Sequence, residues 1–253
     1  MKKALALAYG LVAYALFFVA FLYLIGFLSN AFVPISIDVG PEAPAGPALL
    51  GNLGLIVLFG LQHSVMARPG FKRAWTKWIP EPIERSTYVL ASTVVLVAVL
   101  YFWRPLPTVI WDLSGTASGT AVWGVYAFGW LFLLTSTFLI NHFDLFGLRQ
   151  VACFARGREP RDLAFTDRLF YKFVRHPIYL GWTLVFWATP TMTLGHLVFA
   201  AGMQLYILAA VPLEERDLIT IHGERYRQYR RRVPAVLPRL TPAPREAAPG
   251  ATS

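Results

Sequence analysis

The chain has 253 residues, of which 56% are hydrophobic and only 15% charged, and its mean hydropathy is +0.51. Soluble domains carry about 25% charged residues, so the composition excludes an ordinary soluble enzyme and points to an integral membrane protein. A single cysteine, Cys153, excludes a disulfide framework or a cysteine-rich metal centre, and the net charge of +9 must be weighed against topology before nucleic acid is invoked.

In chain order, residues 4–28 form a first apolar run long enough to cross a bilayer, which takes about 20 residues. Lys2 and Lys3 before it resemble the start of a signal peptide. The run is too long and lacks a small-residue cleavage site, so it reads as a retained span. The loop at 29–47 is rich in Pro, Gly and acidic residues and carries no Lys or Arg. A second span at about 48–66 ends in Gln62-His63-Ser64. Arg68 to Arg85 is basic and amphipathic, and its Phe71, Trp75, Trp78 and Ile79 suit the membrane interface. Residues 86–103 form a third span, 104–120 a loop with turn signals at Pro105, Pro107, Gly115 and Gly119, and 121–140 a fourth span. That span runs into Asn141-His142-Phe143-Asp144 and a polar, basic stretch to Arg175.

Residues 178–212 are apolar again. As one straight helix they would be about 52 Å long, against a hydrocarbon core of roughly 30 Å. Pro190 and Gly195 lie mid-segment, so a short helical hairpin is predicted. The expected fold is therefore an all-α membrane protein of about six spans, the last two a hairpin. Residues 1–140 form a four-helix region, 141–240 a ligand-binding region, and 241–253 a Pro/Ala-rich disordered tail.

The basic residues test this topology. On six spans, 22 of the 23 Lys and Arg fall on one side, and only Arg104 falls on the other. By the positive-inside rule, both termini and both polar loops face the cytoplasm, with the protein in the cytoplasmic (inner) membrane. The bias also explains the positive charge without nucleic acid.

On this topology the chemistry-bearing residues gather at the cytoplasmic ends of the spans. They are Gln62 and His63, Asn141, His142 and Asp144, Arg175 and His176, and Glu214, Glu215 and Asp217. Pro177 suits the first turn of a helix, which places His176 among N–H groups with no helical partner, a setting for anions and polar ligands. A metal site is not expected, because no two histidines stand at helical ligand spacing. A transporter is an alternative, but the polar groups lie at one face rather than at mid-bilayer, and no inverted repeat is present.

Taken together, Arg175-His176-Pro177-Ile178-Tyr179-Leu180-Gly181, the hairpin, Glu214-Glu215, Gly223-Glu224-Arg225-Tyr226-Arg227-Gln228-Tyr229 and Val233-Pro234 resemble the C-terminal half of the isoprenylcysteine carboxyl methyltransferase family. The resemblance implies a membrane methyltransferase that uses S-adenosylmethionine. It implies that His176, Pro177 and Tyr179 touch the cofactor, joined by Gly181, with Glu214 and Glu215 from the far arm of the hairpin. Tyr171 and Gln150 match further cofactor-side positions. Where members that methylate a prenylcysteine carboxylate carry an arginine, four residues before the first glutamate, this chain has Ala210. A small, neutral, apolar acceptor is then expected.

The N-terminal motifs narrow the resemblance. Gly60-Leu61-Gln62-His63-Ser64-Val65-Met66-Ala67-Arg68-Pro69, Glu84-Arg85-Ser86-Thr87-Tyr88, Asn141 to Gln150 and Trp187-Ala188-Thr189-Pro190 are similar to the subgroup that methylates methanethiol to dimethyl sulfide. A phospholipid amine, or an isoprenoid thiol or carboxylate, is the alternative acceptor. Because the thiolate is the nucleophile, a base or a positive field is needed. His63 and His142 are the candidate bases, Asp144 could orient one of them, and Arg85 could supply positive potential. A bilayer and a small thiol are the expected partners.

Overall fold

The computed structural model describes residues 2–160 and 168–238; the tail expected at 241–253 lies outside them. Each long apolar run has become a helix. α1 spans Lys3–Ser29, α2 Ala45–Ala67, α4 Glu81–Phe102, α5 Ala117–Ile140 and α9 Leu194–His222, and all five are long and apolar enough to cross a membrane. Between them lie the short helices α3 (Pro69–Trp75), α6 (His142–Leu145), α7 (Leu148–Ala155) and α8 (Pro177–Trp187), and the chain closes with α10 (Glu224–Arg232). Among the described residues the fold is mostly helical, with one antiparallel strand pair, β1 (Val109–Asp112) with β2 (Thr191–Thr193).

Two expectations need correction. The hairpin expected over 178–212 is present, but its arms are unequal and the second runs past 212. Its first arm, α8, has 11 residues, about 16 Å, which is too short to cross the core by itself. Its second arm runs unbroken for 29 residues through Pro212 and the whole Glu214–Asp217 group. A proline inside a membrane helix is tolerated when neighbouring groups satisfy the freed carbonyl. The carboxylates therefore lie on the second arm of the hairpin, within the helix itself. Among the described residues there are five helices long enough to span and the shorter apolar α8, and part of the loop expected at 104–120 is the strand β1.

The helices pack side by side. α5 lies along α8, α1 against α4 and α7, and α2 between α4 and α9. The shared core is aromatic and aliphatic: Phe27, Trp103, Phe186 and Phe199 are fully buried around Leu100 and Ile207. Asn52, buried in α2, clasps the end of α4 by donating to the Arg104 carbonyl at 2.7 Å and accepting from the Arg104 amide at 2.9 Å. The Trp103 indole donates to the Ile37 carbonyl at 3.1 Å, and Thr193 donates to Asp38 at 2.5 Å. These bonds tie three loops together at the end of the bundle opposite the basic residues.

Two glycines mark close approaches. Gly147, at φ +85°, sits so near α4 that an added Cβ would stand 2.7 Å from the Ser86 amide nitrogen. At Gly181 it would stand 2.9 Å from Leu133 Cα, which is what lets α8 lie against α5.

Candidate functional site

The site grows from the junction of α8 with α9. Arg175-His176-Pro177 leads into α8, with Pro177 at its first position and no side chain capping the N-terminal amides. The segment is held from behind by the end of α10: the Arg175 amide donates to the Pro234 carbonyl at 2.8 Å and the His176 amide to the Ala235 carbonyl at 3.0 Å. The Arg175 guanidinium also donates to the Arg230 carbonyl at 2.9 Å and to the Val233 carbonyl.

Glu215 faces this clamp. Its Oε1 accepts from Arg175 Nε at 2.8 Å and lies 3.3 Å from His176 Nε2, and its Oε2 is 3.0 Å from Arg230 Nε. The side chain is 4% exposed. A buried carboxylate must be paired and hydrogen-bonded to be tolerated, and this one is saturated. Glu215 thus joins Arg175, His176 and Arg230 in one buried cluster.

Glu214 differs. Its side chain is 40% exposed, and its shielded Oε2 accepts no hydrogen bond among the described residues; His176 Nδ1 stands 3.6 Å away. Around it gather tyrosines. The Tyr179 ring stacks on His176 at 5.3 Å, and the Tyr171, Tyr179 and Tyr206 hydroxyls all lie within the field of the Glu214 charge. Tyr171 is positioned by Tyr229, whose hydroxyl donates to its carbonyl at 2.7 Å. Burial above all, with Tyr229 and Glu214 adding, pushes the Tyr171 hydroxyl above the ordinary tyrosine value. It stays protonated, and it has no partner among the described residues.

Tyr206 carries the site across to α2. Its ring packs on Gly60 and meets the edge of His63 at 6.3 Å. His63 is boxed by Phe59 at 5.4 Å, Tyr88 at 5.2 Å and Tyr206, and its Nδ1 is shielded and unpartnered among the described residues. The guanidinium groups of Arg85 and Arg68 act on it electrostatically. Arg85 lies over the Tyr88 ring at 5.1 Å and donates to the Leu145 carbonyl at 2.8 Å. One turn beyond His63, Arg68 pairs with Asp217 at 2.8 Å, so the ends of α2 and α9 are joined.

The other expected residues fall elsewhere. His142 is buried against α1 and α5, with Nε2 2.8 Å from the Tyr14 hydroxyl and Nδ1 2.8 Å from the Thr137 hydroxyl. With both nitrogens engaged it has no lone pair left for a substrate proton. Asp144 orients neither histidine in these contacts; it accepts from Arg149 at 2.6 Å and from Gln150 at 3.1 Å. Gln150 is thereby tied to the α6–α7 turn. Gly181 faces Leu133, and its missing side chain serves helix packing. No group of three or more potential metal ligands occurs among the described residues.

Sequence reasoning passed over Tyr206, Tyr88 and the Arg68–Asp217 pair. The signal for Tyr206 was there: residues 206, 210 and 214 step by four along one helix face.

Fold and site define a multi-helix membrane protein with a polar, carboxylate-bearing cluster near the basic end of its bundle. The chain belongs to the DUF1295 family, described as a protein of unknown function, whose pattern it matches over residues 70–233. It is 50% identical over 238 residues to methanethiol S-methyltransferase of Mycobacterium tuberculosis, covering 94% of this chain and 98% of that one. To methanethiol S-methyltransferase 2 of Bradyrhizobium diazoefficiens it is 53% identical over 234 residues, 92% and 90% of the two chains. Human nurim is 30% identical over 193 residues, 71% of each chain. No solved structure matches.

Proposed function

We propose that this protein methylates methanethiol to dimethyl sulfide with S-adenosylmethionine, at the cytoplasmic face of the inner membrane and with both termini in the cytoplasm. The observation that carries the reading is identity of about half over nearly the whole chain to enzymes named for that reaction.

The residues present suit the donor. Among the described residues Glu214 offers a carboxylate oxygen that accepts no hydrogen bond, Tyr171 a hydroxyl with no hydrogen-bond partner, and α8 an N-terminus that no side chain caps. A carboxylate attracts ammonium or sulfonium charge or accepts from ribose hydroxyls, and uncapped amides receive a carboxylate. Glu214, Tyr171, His176, Pro177 and Tyr179 would hold the donor, with Glu215 and Arg175 fixing the loop that presents them. When bound, S-adenosylmethionine supplies a methyl group activated on a sulfonium, transferred in line to the acceptor sulfur.

The acceptor side comes from the first region of the chain, residues 1–140, and the donor side from residues 141–240. In the tautomer with its proton on Nε2, His63 takes the thiol proton at Nδ1 as the acceptor sulfur becomes the nucleophile. Arg85 and Arg68 favour the thiolate by their positive field. The aromatic walls around His63 keep water away, and alignment supplies much of the remaining barrier reduction.

The test is expression in a host lacking the activity, with methanethiol supplied and headspace dimethyl sulfide measured against Glu214→Ala. Sulfide from the wild type and none from the variant supports the reading. Absence of sulfide from both, with donor binding retained by purified protein, would show that the acceptor is wrong.

A further inference from the structure

We infer that Tyr206, seated on Gly60, is the residue that limits how large an acceptor the site admits; this rests on the methyl-transfer reading above. α2 and α9 run alongside each other in the same direction, with Ile56 against Gly202, Gly60 against Tyr206 and Arg68 against Asp217. An added Cβ at Gly60 would stand 2.9 Å from Tyr206 Cδ2, so the edge of the ring comes this close to α2 only because residue 60 has no side chain. One turn further along α2, His63 carries a shielded Nδ1 with no hydrogen-bond partner among the described residues, and Tyr206 supplies one of the three aromatic walls around it.

The same ring borders the donor side. Tyr206 stands eight residues before Glu214 on one face of α9, with the small Ala210 between them, and its hydroxyl lies within the field of Glu214 and beside Ser64. It thus separates the proton-accepting atom from the bilayer-deep part of the α2–α9 seam, while the Arg68–Asp217 pair joins the helices at the other end. The two contacts lie eight residues apart on α2, about 12 Å, and eleven apart on α9, about 16 Å. An acceptor with a short alkyl group fits beside His63 without displacing the ring. A longer chain must continue along the seam, where Tyr206 stands.

The inference is tested with purified protein in lipid nanodiscs, given methanethiol and 1-butanethiol in competition and assayed for the two methyl sulfides. The wild type is expected to prefer methanethiol strongly. Tyr206→Ala should move the ratio of kcat/KM values toward 1-butanethiol by about tenfold or more, the scale at which hydrophobic pockets discriminate chain length, while Tyr206→Phe leaves it near the wild-type value. Gly60→Ala, which pushes the ring toward His63, should move it the opposite way, and this arm keeps the test decisive if Tyr206→Ala does not fold. An unchanged ratio in whichever of Tyr206→Ala and Gly60→Ala folds and still methylates methanethiol overturns the inference and leaves the proposed reaction standing. A wild type that methylates neither thiol overturns the proposed reaction, and the inference with it.

Discussion

Glu214 and Glu215 are adjacent on α9 and live in opposite surroundings: Glu215 is 4% exposed and bound to Arg175, His176 and Arg230, whereas Glu214 is 40% exposed with one oxygen unpartnered among the described residues. Successive helical residues point about 100° apart, so one reaches the clamp formed by Arg175 and α10 and the other the side on which the Tyr171, Tyr179 and Tyr206 hydroxyls feel its charge. This separates ligand from support. Glu214→Gln should weaken S-adenosylmethionine binding by about tenfold or more, a loss of about 1.4 kcal/mol, with the melting temperature of the ligand-free protein unchanged. Glu215→Gln should lower that melting temperature, since breaking a buried pair costs about 3–5 kcal/mol. Isothermal calorimetry and a thermal-shift measurement in the same detergent check both.

The two histidines proposed from sequence should part in the same way. His63→Ala should reduce the methyl-transfer rate by about 10²–10⁴-fold, the usual worth of a positioned base, with donor affinity retained. His142→Ala should leave the rate within a few-fold and cost about 1–3 kcal/mol of stability, because the Tyr14 and Thr137 hydroxyls lose their partner. Single-turnover rates beside melting curves distinguish these outcomes.

His142 also makes stability depend on pH. Burial holds its imidazole below the ordinary value of 6.5. Above that pH the ring is neutral in both folded and unfolded chains, and its contribution to stability is fully present. As pH falls below 6.5, the unfolded chain takes up a proton that the folded one resists, and the contribution is lost as pH falls through the folded value. The melting temperature should therefore drop faster below pH 6.5 in the wild type than in His142→Gln. Parallel slopes for the two proteins would refute this.

Gly147→Ala and Gly181→Ala should both destabilise. At Gly147 a side chain meets a left-handed φ and the Ser86 backbone together, and at Gly181 it meets the Leu133 backbone. Overpacking of this kind costs about 1–3 kcal/mol. Gly181→Ala should also disturb donor binding by moving the α8 N-terminus, whereas Gly147→Ala acts on the α4–α7 side. Thermal shift with and without S-adenosylmethionine separates the two.

What the sequence determined by itself follows from local physics. Long apolar runs must become helices in a bilayer, because no other open structure satisfies its backbone hydrogen bonds there. Pro177 suits the first turn of a helix, and it opens α8. The gathering of Glu214, His176 and His63 at one end followed from counting spans. Tertiary structure decided how these residues are used, since that depends on which neighbour reaches each polar atom first. His142 and His63 look equivalent in the chain, yet Tyr14 and Thr137 occupy one, while aromatic rings that cannot serve its Nδ1 surround the other. The two glutamates differ for the same reason, and so does Gly181, whose role is visible only once Leu133 lies against it. Tyr206 belongs to the site because α9 continues straight through Pro212 beside α2, and the packing of those two helices sets where a side chain from residue 206 comes to rest.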